Sequence, residues 1–265
     1  MSKINTFLKL LKTDGIKSVW SVIFKKITKK NIKNYHSIST IVKGKYGIEI
    51  GGPSWIFRDY SVIPIYKLIK QLDSCNFASN TIWENSLIEG HTFNFYKNKI
   101  GYQYIREATD LTKIPDENYD FLLSSNCLEH IANPIKALYE WIRVVKSNGY
   151  LLIVVPNKDE GFDHKRNITS FDHLLSDFKN NTQEDDFTHL EEILALHDLN
   201  FDLKAGTFEQ FKDRSLQNHT NRTLHHHVFD VPLLKEIFHF LKLEVVFTEI
   251  AEKNNIILGR KTVAN

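Results

Sequence analysis

Tyr119-Asp120-Phe121-Leu122-Leu123-Ser124-Ser125-Asn126-Cys127-Leu128-Glu129-His130-Ile131 is the stretch on which the fold is read. Its first half is apolar without alternation, the pattern of a strand buried on both faces, and it stops in a polar loop. From Asn133 onward Ile135, Leu138, Ile142 and Val145 recur at helical spacing, with Pro134 suited to a first turn and Gly149 to a C-terminal stop. Tyr150 to Val155 then reads as a second buried strand, closed by Pro156. Upstream, Tyr46 to Ile50 ends at Gly51-Gly52-Pro53-Ser54, Leu68 to Leu72 runs into Asp73, and Tyr102 to Ala108 runs toward Asp110. Buried strands alternating with helices predict an α/β, doubly wound, mostly parallel sheet covered on both faces. Leu243 to Thr248 and Asn255 to Gly259 add an antiparallel C-terminal pair.

The 265 residues are 42% hydrophobic and 25% charged, enough for a full core and too apolar for disorder. No apolar run is long enough to span a bilayer, and no secretory signal is visible. With Cys75 and Cys127 as the only cysteines, a disulfide framework is excluded and a reducing cytoplasmic setting is expected. Residues 1–33 hold nine lysines against Asp14 alone, while the whole chain carries only +2, so the remainder is net negative and a poor nucleic-acid binder. The arm's apolar residues recur at helical spacing. It is therefore read as a basic amphipathic helical arm over 1–40, able to pack on the domain at 41–265 or to make peripheral contact with an anionic membrane surface. Residues 157–230, polar, aromatic and rich in His and Asp, read as an inserted cap with helical pieces at His173–Phe178 and Leu190–His197.

Ligands of open α/β sheets lie outside the carboxyl ends of the strands, so the cap is expected to cover the site. Asp73 falls 22 residues after Gly51, close to the spacing at which a carboxylate meets ribose hydroxyls. Asp110 ends the next strand, where a side chain can meet an adenine edge.

These residues resemble the class I S-adenosylmethionine-dependent methyltransferases. The resemblance rests on Gly47-Ile48-Glu49-Ile50-Gly51-Gly52, Asp73, Asp110-Leu111 and above all the stretch from Tyr119 to Ile131, and it covers about residues 44–160. It implies a Rossmann-like fold with S-adenosylmethionine as cofactor. Glu49, Gly51 and Gly52 would form the first loop, Asp73 hold the ribose, Asp110 and Leu111 lie by the adenine, and Ser124 and Asn126 line the pocket. The chain departs from the usual glycine-rich loop by placing Pro53 and Trp55 where further glycines are expected. A Glu-Ile-Gly-Gly-Pro-Ser stretch with a His-rich second half is similar to bacterial methyltransferases associated with surface-polysaccharide biosynthesis. That resemblance implies a hydroxyl of a sugar, sugar nucleotide or glycan precursor as acceptor. The altered loop leaves open a non-catalytic, cofactor-binding or regulatory protein.

A hydroxyl acceptor needs a base, and His is suited to that work near neutral pH. His130, Asp163, His164 and His226 are the expected catalytic residues, placed between the Leu128–Ile131 turn and the cap. Nine of the twelve histidines fall between 164 and 239, so a divalent metal bound by the cap is a weaker alternative with no ligand set specified beyond the helical spacing of His189 and His197. Arg166, Arg214 and Arg222 are candidates for an anionic group on the acceptor.

Overall fold

The computed structural model describes residues 30–84 and 86–262. Residues 1–29 of the amphipathic arm, and with them nearly all of the proposed membrane contact, therefore lie outside the described residues. Eight strands, β1 (Tyr46–Ile50), β2 (Gln71–Asn76), β3 (Gly90–Tyr96), β4 (Lys99–Ile105), β5 (Tyr119–Ser125), β6 (Val145–Pro156), β7 (Leu243–Ala251) and β8 (Asn254–Lys261), form one sheet in the order β3-β4-β2-β1-β5-β6-β8-β7. The five strands from β4 to β6 pair in parallel, and β3, β8 and β7 add antiparallel neighbours at the two edges. The expected sheet and its antiparallel C-terminal pair are present. The hairpin strand β3 was not expected, because its sequence GHTFNFY is polar and only Phe93 and Phe95 are buried.

The helices of the described residues are α1 (Tyr35–Val42), α2 (Pro134–Val144), α3 (Phe171–Asn180), α4 (Leu190–Leu196), α5 (Phe208–Leu216), α6 (Asn218–Asn221) and α7 (Val231–Phe240). The Asn133 side chain accepts from Lys136 N and Pro134 opens α2, as N-cap and first-turn chemistry dictates. The stop comes earlier than Gly149, since the chain passes directly from Val144 into β6. Gly149 lies inside that strand, where a Cβ would sit 2.8 Å from the Asp120 carbonyl, so its role is close strand approach.

One face of the sheet carries α2, α3 and α7 over a core that includes Trp141, Leu138 and Phe238. Among the described residues, the other face is covered chiefly by irregular chain. The connection from β1 to β2 has no α-helix, and its buried Phe57, Ile63, Ile65, Tyr66 and Ile69 pack with Ile38 and Val42 of α1. Ile32 joins the same cluster, so the end of the arm packs on the domain at Ile32 and Ile38. The cap holds its two expected helices as α3 and α4, and a small core of Ile193, Ala205, Phe211 and Leu224. No described helix is long and apolar enough to cross a membrane.

Candidate active site

A cavity of about 400 Å³ opens at the carboxyl ends of β1, β2, β4 and β5. Gly51 and Asn126, at the ends of β1 and β5, both line it, and both have positive φ (79° and 49°) because the chain must turn sharply off the sheet there. A Cβ on Gly51 would meet Cys127 Sγ at 3.0 Å. The first loop is fixed from beneath by Glu49, a fully buried carboxylate that accepts from Ser54 N (3.0 Å) and the Tyr66 hydroxyl (2.7 Å). Burial raises its pKa against the opposing pull of these two donors. A Cβ on Gly52 would fall 2.4 Å from Glu49 Cδ, so the Gly-Gly pair leaves room for this buried support; Pro53, joined by a cis peptide, then Ser54 and Trp55 form the wall.

Several expected cofactor residues stand elsewhere. β2 continues three residues past Asp73, and the strand end at the cavity is Asn76, followed by Phe77. Asp73 is buried in mid-strand, where it accepts from the Tyr46 and Tyr119 hydroxyls (2.5 and 2.9 Å) and from Tyr102 N (2.8 Å). The 22-residue spacing thus ends on a structural carboxylate, since neighbouring strands supply the phenols that satisfy it. Leu111 is core, and Asp110 accepts from Thr112 N in a separate shallow depression; Arg106, Glu107 and Ala108 line the cavity instead. Ser125 lines it in place of the buried Ser124.

The catalytic candidates separate in the same way. His130 lines the cavity from the turn after β5. Its Nδ1 lies 3.0 Å from the Leu224 carbonyl, which can only accept, so the neutral ring keeps its lone pair on Nε2. Burial and the neighbouring His225 hold its pKa well below the ordinary imidazole value. His164 lies 3.0 Å from Asp198 and does not line the cavity. His226 is buried with Nε2 3.0 Å from the Asn218 amide, and burial lowers its pKa to about 3. Asp163 binds Arg166 Nη1 (3.1 Å) and His225 Nδ1 (2.5 Å) behind the wall. Of the three arginines, Arg166 is buried among Asp163, Glu192 and two carbonyls, and Arg214 pairs with Asp202. Arg222 alone reaches the cavity, held there by Glu107 (2.6 Å) and Glu184 (3.7 Å).

Residues without a sequence signal complete the site. Thr81 Oγ1 accepts from Trp83 N and Glu84 N, folding a loop that presents Trp83, 52% exposed, edge-on to the His130 ring at 5.1 Å. Glu184 enters from the cap, its Oε1 accepting from Ala132 N, and burial raises its pKa to about 7. Glu129, 2% exposed, has no hydrogen bond to either carboxylate oxygen, and burial pushes its pKa up to about 7. It sits with His130 and His225 in a group whose ligand atoms lie within 4.8 Å of one another, a donor set able to hold a cation or to pass a proton.

The sheet order, the crossovers and the strand-end cavity are those of a Rossmann-like methyltransferase fold. Residues 75–153, from β2 into β6, match the family described as "Methyltransferase domain". The fold is Rossmann-like, and the matched segment is a methyltransferase domain. No curated protein is significantly similar to the chain. Among solved structures, a SAM-dependent methyltransferase from Aquifex aeolicus is similar at 12% identity over 87% of this chain and 90% of that one, with a TM-score of 0.46. A SAM-dependent methyltransferase from Methanosarcina mazei is 13% identical over 88% of this chain and 100% of that one, TM-score 0.48. The 1,6-didemethyltoxoflavin-N1-methyltransferase of Burkholderia thailandensis, solved with bound 1,6-didemethyltoxoflavin and S-adenosylhomocysteine, is 10% identical over 99% of this chain and 92% of that one, TM-score 0.46.

Proposed function

We propose that the chain transfers the methyl group of S-adenosylmethionine to a hydroxyl of an uncharged sugar or glycan precursor, with His130 as the base. The observation that carries this reading is the neutral His130 ring, its Nδ1 committed to Leu224, in the wall of a strand-end cavity. Gly51, Asn76 and Asn126 of the cavity wall would hold S-adenosylmethionine, with Asn76 and Glu107 as acceptors for its ribose hydroxyls. The acceptor oxygen attacks the methyl carbon in line, the carbon–sulfur electron pair stays on sulfur, and the hydroxyl proton passes to His130 Nε2. Glu129 Oε1, 4.0 Å from that nitrogen, stabilises the imidazolium. In-line geometry supplies much of the acceleration, so the protein's chief work is positioning.

The lining favours an uncharged acceptor over a sugar nucleotide. Glu84, Glu107, Glu184 and Glu252 outnumber Arg106 and Arg222, and both arginines are paired, with Glu89 and with Glu107. Carboxylates suit the sulfonium cation and sugar hydroxyls, and the exposed faces of Trp55 and Trp83 suit the apolar face of a sugar ring.

Calorimetry with S-adenosylmethionine, followed by methyl transfer from labelled cofactor to neutral and nucleotide-linked sugars, tests the assignment. His130→Gln should keep cofactor affinity and lose about 10² to 10⁴ in turnover. Binding with no turnover on any hydroxyl acceptor would favour a non-catalytic role, and absence of binding would remove the cofactor from the cavity.

A further inference from the structure

Behind the Glu184 wall of the cavity, three imidazoles and a carboxylate converge. His173 and Asp177 are four residues apart on one face of α3, His189 precedes α4, and His227 lies in the extended segment before α7. One ligand atom from each lies within 4.8 Å of the other three. His173 Nε2 is 2.9 Å from His189 Nε2 and 3.2 Å from Asp177 Oδ2, which is 3.6 Å from His227 Nε2. Four donors around a tetrahedral zinc at about 2.05 Å would stand roughly 3.3 Å apart, and these separations bracket that value.

A further feature points to a missing partner. Asp177 is 7% exposed, yet its Oδ2, in the middle of the group, makes no hydrogen bond. Ordinary buried polar atoms are satisfied. The surroundings meanwhile orient the donors. Thr182 Oγ1 donates to Asp177 Oδ1 (3.1 Å), turning Oδ2 toward the imidazoles, and Glu192 Oε2 lies 3.7 Å from His189 Nδ1, the carboxylate–histidine arrangement that supports a metal-bound nitrogen.

We infer that His173, Asp177, His189 and His227 form a closed, structural site for a divalent cation of zinc type. Three nitrogens and one oxygen suit zinc, and four protein ligands leave no position for substrate. Binding replaces the contact between His173 and His189 and draws His227 Nε2 from the Ala132 carbonyl, 3.2 Å away. The ion ties α3, the start of α4 and the segment before α7 into one unit. It also closes the 181–189 loop, whose Glu184 lines the cavity and accepts from Ala132 N. The ion thus holds a wall of the site without entering it, and the inference stands whether or not the cavity methylates sugars.

The test uses the full chain, freed of metal and then incubated with zinc chloride alone. Elemental analysis after desalting should find about one zinc per chain, and chelator should lower the melting temperature, with zinc restoring it. His189→Ala and Asp177→Asn should each reduce retained zinc at least tenfold and abolish the response to chelator, whereas Glu129→Gln should keep both. Cobalt(II) loading should give the intense visible bands of tetrahedral coordination, a readout on the unaltered protein should the variants fail to fold. No retained zinc with no effect of zinc or chelator on melting overturns the inference. So does zinc that is lost with Glu129→Gln and kept with His189→Ala, which would place the ion at the Glu129, His130 and His225 group.

Discussion

His225 Nδ1 lies 2.5 Å from Asp163 Oδ2, a contact across 62 positions that fastens the beginning of the cap to its end. The other Asp163 oxygen takes Arg166 Nη1, and the His225 ring stands edge-on to His130 at 4.6 Å. A carboxylate outside the cavity thereby sets the ring against which His130 packs.

Asp163→Ala would leave the buried Arg166 guanidinium with Glu192 at 3.4 Å and two carbonyls as its partners. Removing one member of a buried pair costs about 3 to 5 kcal/mol, and urea unfolding should show a loss of that size. Burial alone would raise the Asp163 pKa, but the charges of His225 and Arg166 override it and hold the carboxyl well below its usual range. A depressed carboxyl contributes stability that is present above the unfolded pKa, about 3.9, and is lost as pH falls through the folded value. Wild type should therefore lose stability below about pH 4 more steeply than Asp163→Asn. Equal slopes would mean that the pair does not form.

Glu129 carries the opposite sign. Its pKa is raised from 4.5 to about 7, so between those values the unfolded chain gives up a proton that the folded chain keeps. Stability falls across that window, and the whole cost, about 3 kcal/mol at 1.36 kcal/mol per unit, is present above pH 7. Glu129→Gln should remove its share of the slope between pH 5 and 8, leaving that of Glu184, whatever constant offset its buried amide adds, and should lower turnover. A variant with the wild-type slope would locate the pH dependence in another group.

What could be read from residue types was the part set by local patterning. The strand-to-turn breaks at Gly51 and Asn126 announce themselves, because an apolar run that stops at a glycine or a polar residue must leave the sheet there. Asn133, Pro134 and the cap helices followed from the same local rules. The helix-free crossover after β1 did not, because Phe57, Ile63, Ile65 and Tyr66 are buried without helical period. Glu184 and Arg222 reach the cavity from the cap by contacts more than fifty residues long, with Ala132 and Glu107, which no spacing encodes. Among the histidines, density signalled a purpose, and only the tertiary fold divides them between the cavity, the cluster of His173, His189 and His227 around Asp177, and pairs such as His164 with Asp198.

Asp73 shows how a spacing can stop one turn of the argument short. The count from Gly51 reaches an acid at nearly the expected distance, yet β2 pairs with β1 through Cys75 and with β4 through Asn76, so the edge of the sheet lies beyond it. An aspartate there would be an uncompensated buried charge were it not for the two phenols and the Tyr102 amide around it. Substituting Asp73 should therefore act on stability, and substituting Asn76 on the cofactor. Asp73→Asn is expected to lower the unfolding free energy by about 2 kcal/mol, within the range for disturbing a buried hydrogen-bonded group, and to leave S-adenosylmethionine affinity within about twofold. Asn76→Ala is expected to weaken that affinity about fivefold, the worth of one neutral hydrogen bond near 1 kcal/mol, with little change in melting. Calorimetric titration and thermal melting on the two folded variants check both halves. An affinity lost in Asp73→Asn and kept in Asn76→Ala would move the ribose back to the carboxylate and require β2 to end earlier than it does here.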